Sequence, residues 1–290
     1  MGTAARHDER LYDHRYGRRL TLKAAQLAVM LCAWAPLMVS NVALAGEPQR
    51  LRVCADPNDL PFSNQARQGF ENKIVELVAK DLSAHVSYVW WAQRRGYVRS
   101  TLNQSRCDVW PGIAAGVDTV ATSEPYYRST YVFVTRTHAR LDGLTLDDPR
   151  LKSLSIGVQL IGNDAMNTPP AHAIAARGMF DHVRGYSVFG DYGRPHPAAE
   201  IIDAVARGDI DVALAWGPLA GYFANRADVS LRVDPVTPAA DPRWPMSYDI
   251  AMGVRKGDAA LLERINTSLE RKRRAIRAVL CDYHVPLEPR

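Results

Sequence analysis

Strand and helix signals alternate along most of this 290-residue chain, and that alternation restricts the fold more than any other feature. In "FENKIVELVAKDL" the apolar residues recur with a helical period, and short β-prone runs lie before and after it. Strands are predicted at 51–55, 86–91 and 108–113, and helices at 70–82 and 96–105. Because crossovers between parallel strands are right-handed, this β-α-β-α-β order predicts a parallel sheet with helices on both faces.

The same order repeats after the strand-like stretch "TYVFVTR" at 130–136. The second series has predicted strands at 154–160, 182–189 and 211–216 and predicted helices at 171–178 and 197–208. The remaining segments, 230–236, 248–257 and 258–280, come after this series is complete, so we expect them to return to the first. Two α/β lobes are therefore predicted. Lobe 1 comprises residues 46–136 and 230–290, and lobe 2 comprises residues 137–229.

The first 45 residues are expected to be a secretory signal peptide. Basic residues come first, an apolar run from Leu27 to Val39 follows, and the small residues of Ala43–Ala45 end the segment. The run is too short to span a bilayer and Pro36 interrupts it, which disfavours a membrane anchor. "RRLTLK" at 18–23 leaves the Sec and twin-arginine export routes both open.

Removal of that segment changes the net charge and the cysteine count. The chain holds 36 Lys and Arg against 31 Asp and Glu, and the first 45 residues contain six of the former and three of the latter. The remainder has a net charge of +2, which gives no reason to expect nucleic-acid binding. Cys54 lies in the first predicted strand and Cys107 directly before the third, and these strands are neighbours in a doubly wound sheet of order 2-1-3, which predicts a disulfide. Cys281 is left over, either as a buried apolar side chain or as a link to another chain.

Two apolar strands end in the same residue types, "DVWPGI" at 108–113 and "DVALAWGP" at 211–218. In open parallel sheets, ligands bind beyond the carboxyl ends of the strands. Two facing lobes would therefore place Trp110 and Trp216 on opposite walls of one cleft. The alternative, that both rings are core packing, stays open.

Several stretches together resemble the type 2 periplasmic solute-binding proteins of extracellular family 3, which include amino-acid receptors. These stretches are "LRVCADPNDLPFS", "GFENKIVELVAKDL", "SEPYYRSTYVFV" and "GDIDVALAWGPLAGYF", and the resemblance extends over most of the chain after the signal segment. It implies a two-lobed fold, each lobe a sheet flanked by helices, with a hinge and a central cleft.

A narrower set of motifs is similar to the J proteins, MxaJ and XoxJ, of quinoprotein methanol dehydrogenase gene clusters. The motifs are "CADPNDLPFSN", "WWAQRRGYVRSTLN", "CDVWPGI", "GDYGRPHPAAEIIDAVARGDIDVALAWGPLAGYF" and "VPLEP". This resemblance implies a periplasmic accessory or maturation protein, whose partner is a PQQ-dependent methanol or alcohol dehydrogenase or its c-type cytochrome. The alternative is a receptor that delivers a small, non-amino-acid ligand to an ABC transporter.

One departure from the amino-acid receptors favours the narrower resemblance. Those receptors bind the ligand carboxylate with an Arg that precedes the Pro-Tyr of the hinge motif, whereas no Arg lies between Gly112 and Tyr127 here. An aromatic cleft would suit an apolar ligand or a partner's side chain. The residues assigned to the cleft are Asp56, Asn58, Phe62, Glu71, Arg94, Trp110, Tyr126, Tyr127, Trp216 and Pro218; Arg95 and Arg128 could add positive charge.

The sequence contains no catalytic motif that would make this an enzyme, and it implies no cofactor. Glu71 could act as a general acid or base, but a role at the helix N-terminus explains it equally well. Three histidines, His172, His182 and His196, lie near aspartates without the compact spacing of a metal site.

The stretch "RKRRAIR" at 271–277 gives the last predicted helix a basic stripe. It is either a solvated helix face or a surface that docks onto an acidic partner.

Overall fold

The computed structural model describes residues 49–162, 167–238 and 243–289. The predicted signal peptide, residues 1–45, lies outside these ranges. The strands are β1 (Gln49–Ala55), β2 (Asn58–Asp59), β3 (Ser63–Asn64), β4 (Ala84–Trp90), β5 (Val109–Ala114), β6 (Ala121–Thr122), β7 (Tyr127–Arg136), β8 (Ile156–Leu160), β9 (Val183–Ser187), β10 (Val212–Trp216), β11 (Leu231–Pro235) and β12 (Ser247–Val254). The helices are α1 (Phe70–Asp81), α2 (Tyr97–Ser100), α3 (Pro169–Ala176), α4 (Glu200–Arg207), α5 (Gly217–Ala224) and α6 (Ala259–Asp282).

The first sheet has the strand order β4-β1-β5-β12, with the N-terminal half of β7 beside β12. β4, β1 and β5 are parallel, whereas β12 is antiparallel to both β5 and β7. α1 and α6 cover one face, where Phe70, Ile74 and Ile265 are fully buried. Each such side chain contributes roughly 1.5–3 kcal/mol through removal of apolar surface from water. These contacts hold both helices on the sheet.

The second sheet begins with the C-terminal half of β7, which pairs antiparallel with β10 and β11. β10 pairs in parallel with β8, and β8 pairs in parallel with β9. α4 and α5 pack on one face through a cluster that includes Ile201, Ile202 and Leu219. β7 thus runs continuously from the first sheet into the second, and it forms one of the connections between the lobes.

The pairing of β11 differs from the sequence prediction, which assigned 230–236 to lobe 1. Leu231 and Val233 lie opposite Arg136 and Val134 of β7, in the second sheet. Because β7 crosses both sheets, a strand beside it can belong to either lobe. Only the register decides, and the sequence pattern does not specify the register. The other predicted lobe boundaries stay predictions.

The predicted helix at 96–105 is shorter than its pattern indicates. α2 makes a single turn, and the chain continues as a 3-10 turn at Leu102–Gln104. The Thr101 hydroxyl donates a hydrogen bond of 2.7 Å to the Tyr97 carbonyl oxygen, and Ser105 has a φ of 53°. Side-chain bonds to the backbone and a left-handed residue both end helices early.

The predicted disulfide between Cys54 and Cys107 is confirmed, with Cα atoms 5.5 Å apart. It joins β1 to the short segment just before β5, and β5 is the neighbour of β1 in the sheet. Cys281 is a free, exposed cysteine on α6, so of its two predicted roles the buried one is wrong. Within the three described ranges, none of the helices is long and apolar enough to cross a membrane.

Candidate functional site

Asp56 lies at the end of β1, where the predicted cleft begins, and only 1% of its surface is exposed. Its carboxylate accepts hydrogen bonds from the backbone N–H of Asn58 (2.8 Å) and of Gln93 (2.6 Å). The Tyr192 hydroxyl donates a third bond to the same carboxylate. These three hydrogen bonds replace the ones that the carboxylate would make with water if it were exposed. Asp56 therefore links the loops that follow β1 and β4 in lobe 1 to Tyr192 in lobe 2.

Tyr192 belongs to the segment 188–196, here called the closing loop, which connects β9 to the 3-10 turn Pro197–Ala199. The Arg94 guanidinium lies over the Phe189 ring at 4.7 Å and over the Tyr192 ring at 4.5 Å. The Asn58 side-chain amide donates to the Arg194 carbonyl oxygen at 3.3 Å. Cation–π contacts of this kind contribute about 0.5–1 kcal/mol each at exposed positions. The closing loop thus fastens lobe 2 onto the strand ends of lobe 1.

The hairpin formed by β2 and β3 makes a second contact between the lobes. Leu60, in its turn, is 4% exposed and belongs to the apolar cluster of Ala198, Ile201 and Ile202 in lobe 2. Transfer of this side chain back to water would cost roughly 2 kcal/mol. In the structure, the mouth of the cleft is therefore filled by side chains of the chain itself.

Three carboxyl groups lie close together inside this closure: Asp56, Asp59 and Glu71. Desolvation and the neighbouring Asp56 carboxylate raise the pKa of Asp59 to about 8. Burial raises the pKa of Glu71 to about 8, and the charges of Asp59 and Asp56 add to the shift. Glu71 is 3% exposed and lies against Gly112, where a Cβ atom would come 1.8 Å from its Oε1. Any side chain at position 112 would therefore have to displace the Glu71 carboxyl.

Trp110 packs within lobe 1. Its ring is 5.0 Å from the Tyr97 ring, and both belong to the cluster that surrounds the Cys54–Cys107 disulfide. Its indole Nε1 is buried and has no hydrogen-bond partner in the described part of the chain, and the same is true of the Tyr97 hydroxyl.

Trp216 packs on the strands that join the lobes. Its ring is 5.1 Å from that of Tyr131 in β7 and 6.1 Å from that of Tyr248 in β12. Its backbone N–H donates to the Gln159 side chain at 2.8 Å. Trp110 and Trp216 therefore have different aromatic neighbours, and their placement on opposite walls of the cleft stays a prediction.

Two other predicted aromatic residues, Phe62 and Tyr127, belong to a chain of rings that reaches from lobe 1 to lobe 2. Phe62 and Tyr127 both contact the Phe70 ring edge-on, at 5.3 and 6.0 Å. Tyr283, just after α6, lies 5.9 Å from Phe70 and stacks on Tyr222 of lobe 2 at 5.6 Å. Sequence patterns do not indicate this chain of rings, because Tyr283 is far from Phe70 and Tyr222 in the sequence.

The last two predicted cleft residues are positioned by the backbone. The Tyr126 hydroxyl donates to the Pro111 carbonyl oxygen at 2.9 Å. Pro218 is buried in the first turn of α5. That turn lies so close to β7 that a Cβ atom at Gly217 would be 2.4 Å from the backbone carbonyl oxygen of Thr130.

Arg128, His172 and His196 contact other side chains of the protein. Arg128 forms ion pairs with Asp249 (3.0 Å) and with Glu288 (3.5 Å). His172 stacks on Trp244, and His196 lies beside the Phe223 ring. Across the described ranges, no group of three or more His, Cys, Asp or Glu residues could hold a metal ion.

Comparison with known proteins places this geometry in a family. The model of the bacterial extracellular solute-binding proteins, family 3, matches residues 51–275. Protein MoxJ of Methylorubrum extorquens is 36% identical over 299 residues, which covers 94% of this chain and 97% of MoxJ. Protein MoxJ of Paracoccus denitrificans is 30% identical over 271 residues, which covers 88% of this chain and 95% of that protein.

The crystal structure of the periplasmic binding protein XoxJ from Methylobacterium extorquens superposes with a TM-score of 0.69 at 36% identity. The match covers 83% of this chain and all of that chain. These likenesses confirm both the type 2 periplasmic-binding-protein fold and the resemblance to the J proteins that the sequence predicted. The chain belongs to family 3 of the bacterial extracellular solute-binding proteins, in the group that contains MoxJ and XoxJ.

Proposed function

We propose that this chain is a periplasmic, non-enzymatic accessory protein of a PQQ-dependent methanol or alcohol dehydrogenase, and that it aids maturation or activation of that enzyme through the cleft between its lobes. The observation that carries the proposal is the closure of the cleft by the chain's own side chains. Asp56, Arg94 and Leu60 of lobe 1 are each engaged by residues of lobe 2.

A transport receptor needs unoccupied polar groups that converge on its ligand. Here the Asp56 carboxylate already accepts three hydrogen bonds, and the Arg94 guanidinium contacts the rings of Phe189 and Tyr192. Opening of the lobes would expose Leu60 together with the aromatic rings of Phe189 and Tyr192. Buried aromatic and aliphatic anchors of this kind are typical of contacts with a polypeptide.

The choice of partner is supported by the likeness to MoxJ and XoxJ, and by the resemblance to the J proteins of methanol dehydrogenase clusters. The periplasmic location is supported by the XoxJ structure and by the predicted signal peptide.

The proposal is tested with the mature protein, residues 46–290, and the purified PQQ-free dehydrogenase of the same host. We expect a complex, and we expect faster PQQ-dependent activation of the dehydrogenase when the protein is present. If the partner binds the open form, Tyr192→Phe should tighten the complex several-fold, because it weakens the closed form that competes with binding. Tyr186→Phe is the control, since Tyr186 packs inside lobe 2.

Two results would reject the proposal. One is the absence of a complex with a dehydrogenase that is otherwise competent for reconstitution. The other is a small molecule that copurifies with the mature protein, identified by mass spectrometry, whose affinity changes in Tyr192→Phe while the dehydrogenase does not bind. The protein would then be a transport receptor.

A further inference from the structure

β4 forms an open edge of the first sheet. Its seven residues pair with β1 along their whole length, and β4 pairs with no other strand among residues 49–162, 167–238 and 243–289. The N–H of Trp91, just beyond β4, donates to the Ala55 carbonyl oxygen at 2.9 Å. In a parallel ladder, successive residues direct their backbone groups alternately to the two sides. The N–H and C=O groups of Val86, Tyr88 and Trp90 therefore face outward from the sheet.

The sequence of β4 lacks the features that normally protect an edge strand. "AHVSYVW" contains no Pro, Lys, Arg, Asp or Glu, and its register with β1 has no bulge. Native proteins usually interrupt or charge such edges, because a regular apolar edge pairs readily with another strand. Both edges of the second sheet follow that rule, since β9 carries Arg184 and Gly185, and β11 carries Arg232, Asp234 and Pro235. The edge of β4 has no such protection.

A groove runs beside this edge, between α1 and β4. It has a volume of about 540 Å³, and its lining includes Arg67, Lys80, His85 and a single carboxylate, that of Glu76. Further along the strand, the rings of Tyr88 and Trp90 stack 4.6 Å apart, and the Arg67 guanidinium lies 5.3 Å from the Tyr88 ring. A strand added to β4 would place every second side chain over this groove.

The charge of the groove indicates what that strand should carry. Arg67 and Lys80 are exposed, and neither forms an ion pair within the described ranges. Acidic side chains would complement them. A second copy of this chain is disfavoured, because edge-to-edge pairing would bring two basic grooves together.

We propose that the β4 edge and its groove bind an extended, acidic segment of a partner polypeptide, which adds to the first sheet as a further strand. Backbone hydrogen bonds to Val86, Tyr88 and Trp90 would give affinity, and the alternate side chains over the groove would give specificity. This surface is separate from the cleft, so the inference does not depend on the proposed function.

The test is selection of a phage-displayed random decapeptide library on the mature protein, followed by titration of the enriched peptides. We expect peptides in which acidic residues alternate with β-branched or aromatic ones. Val86→Pro removes one outward N–H and no hydrogen bond of the fold, so binding should weaken about tenfold or more. The double variant Arg67→Asp, Lys80→Glu should weaken binding by a similar factor, and about 0.5 M salt should abolish this difference. Arg184→Glu, on the β9 edge, is the matched control.

Hydrogen exchange gives the direct structural readout. On peptide binding, the amides of Val86, Tyr88 and Trp90 should become protected, while the outer edge of β9 should not. Thermal unfolding establishes that each variant is folded. Failure of the library to enrich any peptide would overturn the proposal, and so would peptides that bind both lobe 1 variants as well as the wild type. A concentration-dependent dimer that Val86→Pro abolishes would instead identify the occupant as a second copy of the chain.

Discussion

Replacement of Glu71 by Gln should change how the stability of this protein depends on pH. Glu71 is buried at the start of α1, against Gly112 and near two other carboxyl groups. Burial raises its pKa from 4.5 in the unfolded chain to about 8 in the native protein. Between those pH values the native state holds a proton that the unfolded state has lost. The free energy of unfolding must therefore fall as the pH rises through this window.

The size of the effect follows from the shift. A difference of about 3.5 pKa units corresponds to about 5 kcal/mol over the whole window, at 1.36 kcal/mol per unit. Between about pH 5.5 and pH 7.5 the contribution of Glu71 alone is about 2–2.5 kcal/mol. Glutamine carries no titratable proton, so Glu71→Gln should lose that much less stability over the same interval. Near pH 8 and above, the variant should be the more stable protein.

The assay is chemical unfolding of residues 46–290 in guanidinium chloride at several pH values, with linear extrapolation to water. Glu76→Gln is the control, because Glu76 lies on the same helix with a partly exposed side chain. Parallel stability curves for the wild type and Glu71→Gln between pH 5.5 and 7.5 would refute the reasoning. So would an equal change of slope in Glu76→Gln.

Three further predictions concern the scaffold and the closure. Replacement of Cys54 and Cys107 by serine should lower the free energy of unfolding by about 4 kcal/mol, from the closure entropy of a loop with a sequence separation of 53, measured by denaturant unfolding. Arg94→Ala should speed hydrogen exchange in the closing loop and leave exchange in α6 unchanged. Gly217→Ala should lower the free energy of unfolding by about 1–3 kcal/mol, seen as a lower Tm, because the alanine Cβ would lie 2.4 Å from the backbone carbonyl oxygen of Thr130.

The core of lobe 1 could be predicted because its determinants are local. The apolar period of α1 and the short strands beside it specify β-α-β units, and the 2-1-3 order of a doubly wound sheet then makes β1 the neighbour of both β4 and β5. The disulfide between Cys54 and Cys107 follows from that order. The shortness of α2 was not predictable from periodicity, because it depends on the hydroxyl of Thr101 and on the left-handed backbone of Ser105.

The closure of the cleft could not be predicted, because its contacts join residues from distant parts of the chain. Tyr192 and Asp56 meet across the lobes, and nothing in "GDYGRPH" indicates that its tyrosine will satisfy a carboxylate at the end of β1. Asp59 was missed for the same reason. Burial and the neighbouring Asp56 carboxylate raise its pKa, and both depend on the folded position of the β2–β3 hairpin.

The two tryptophans show why similar strand ends need not form similar walls. Trp110 lies inside β5, where alternate side chains face opposite sides of the sheet, and its ring points to the face that carries the disulfide. Trp216 is the last residue of β10, and the next residue already begins α5, so its ring is directed onto Tyr131 and Tyr248. The position at which a strand ends determines only where the extended backbone ends. The ring's direction depends on strand parity and on the following helix, so matched strand ends alone do not place both rings on the cleft walls, and that placement stays a prediction.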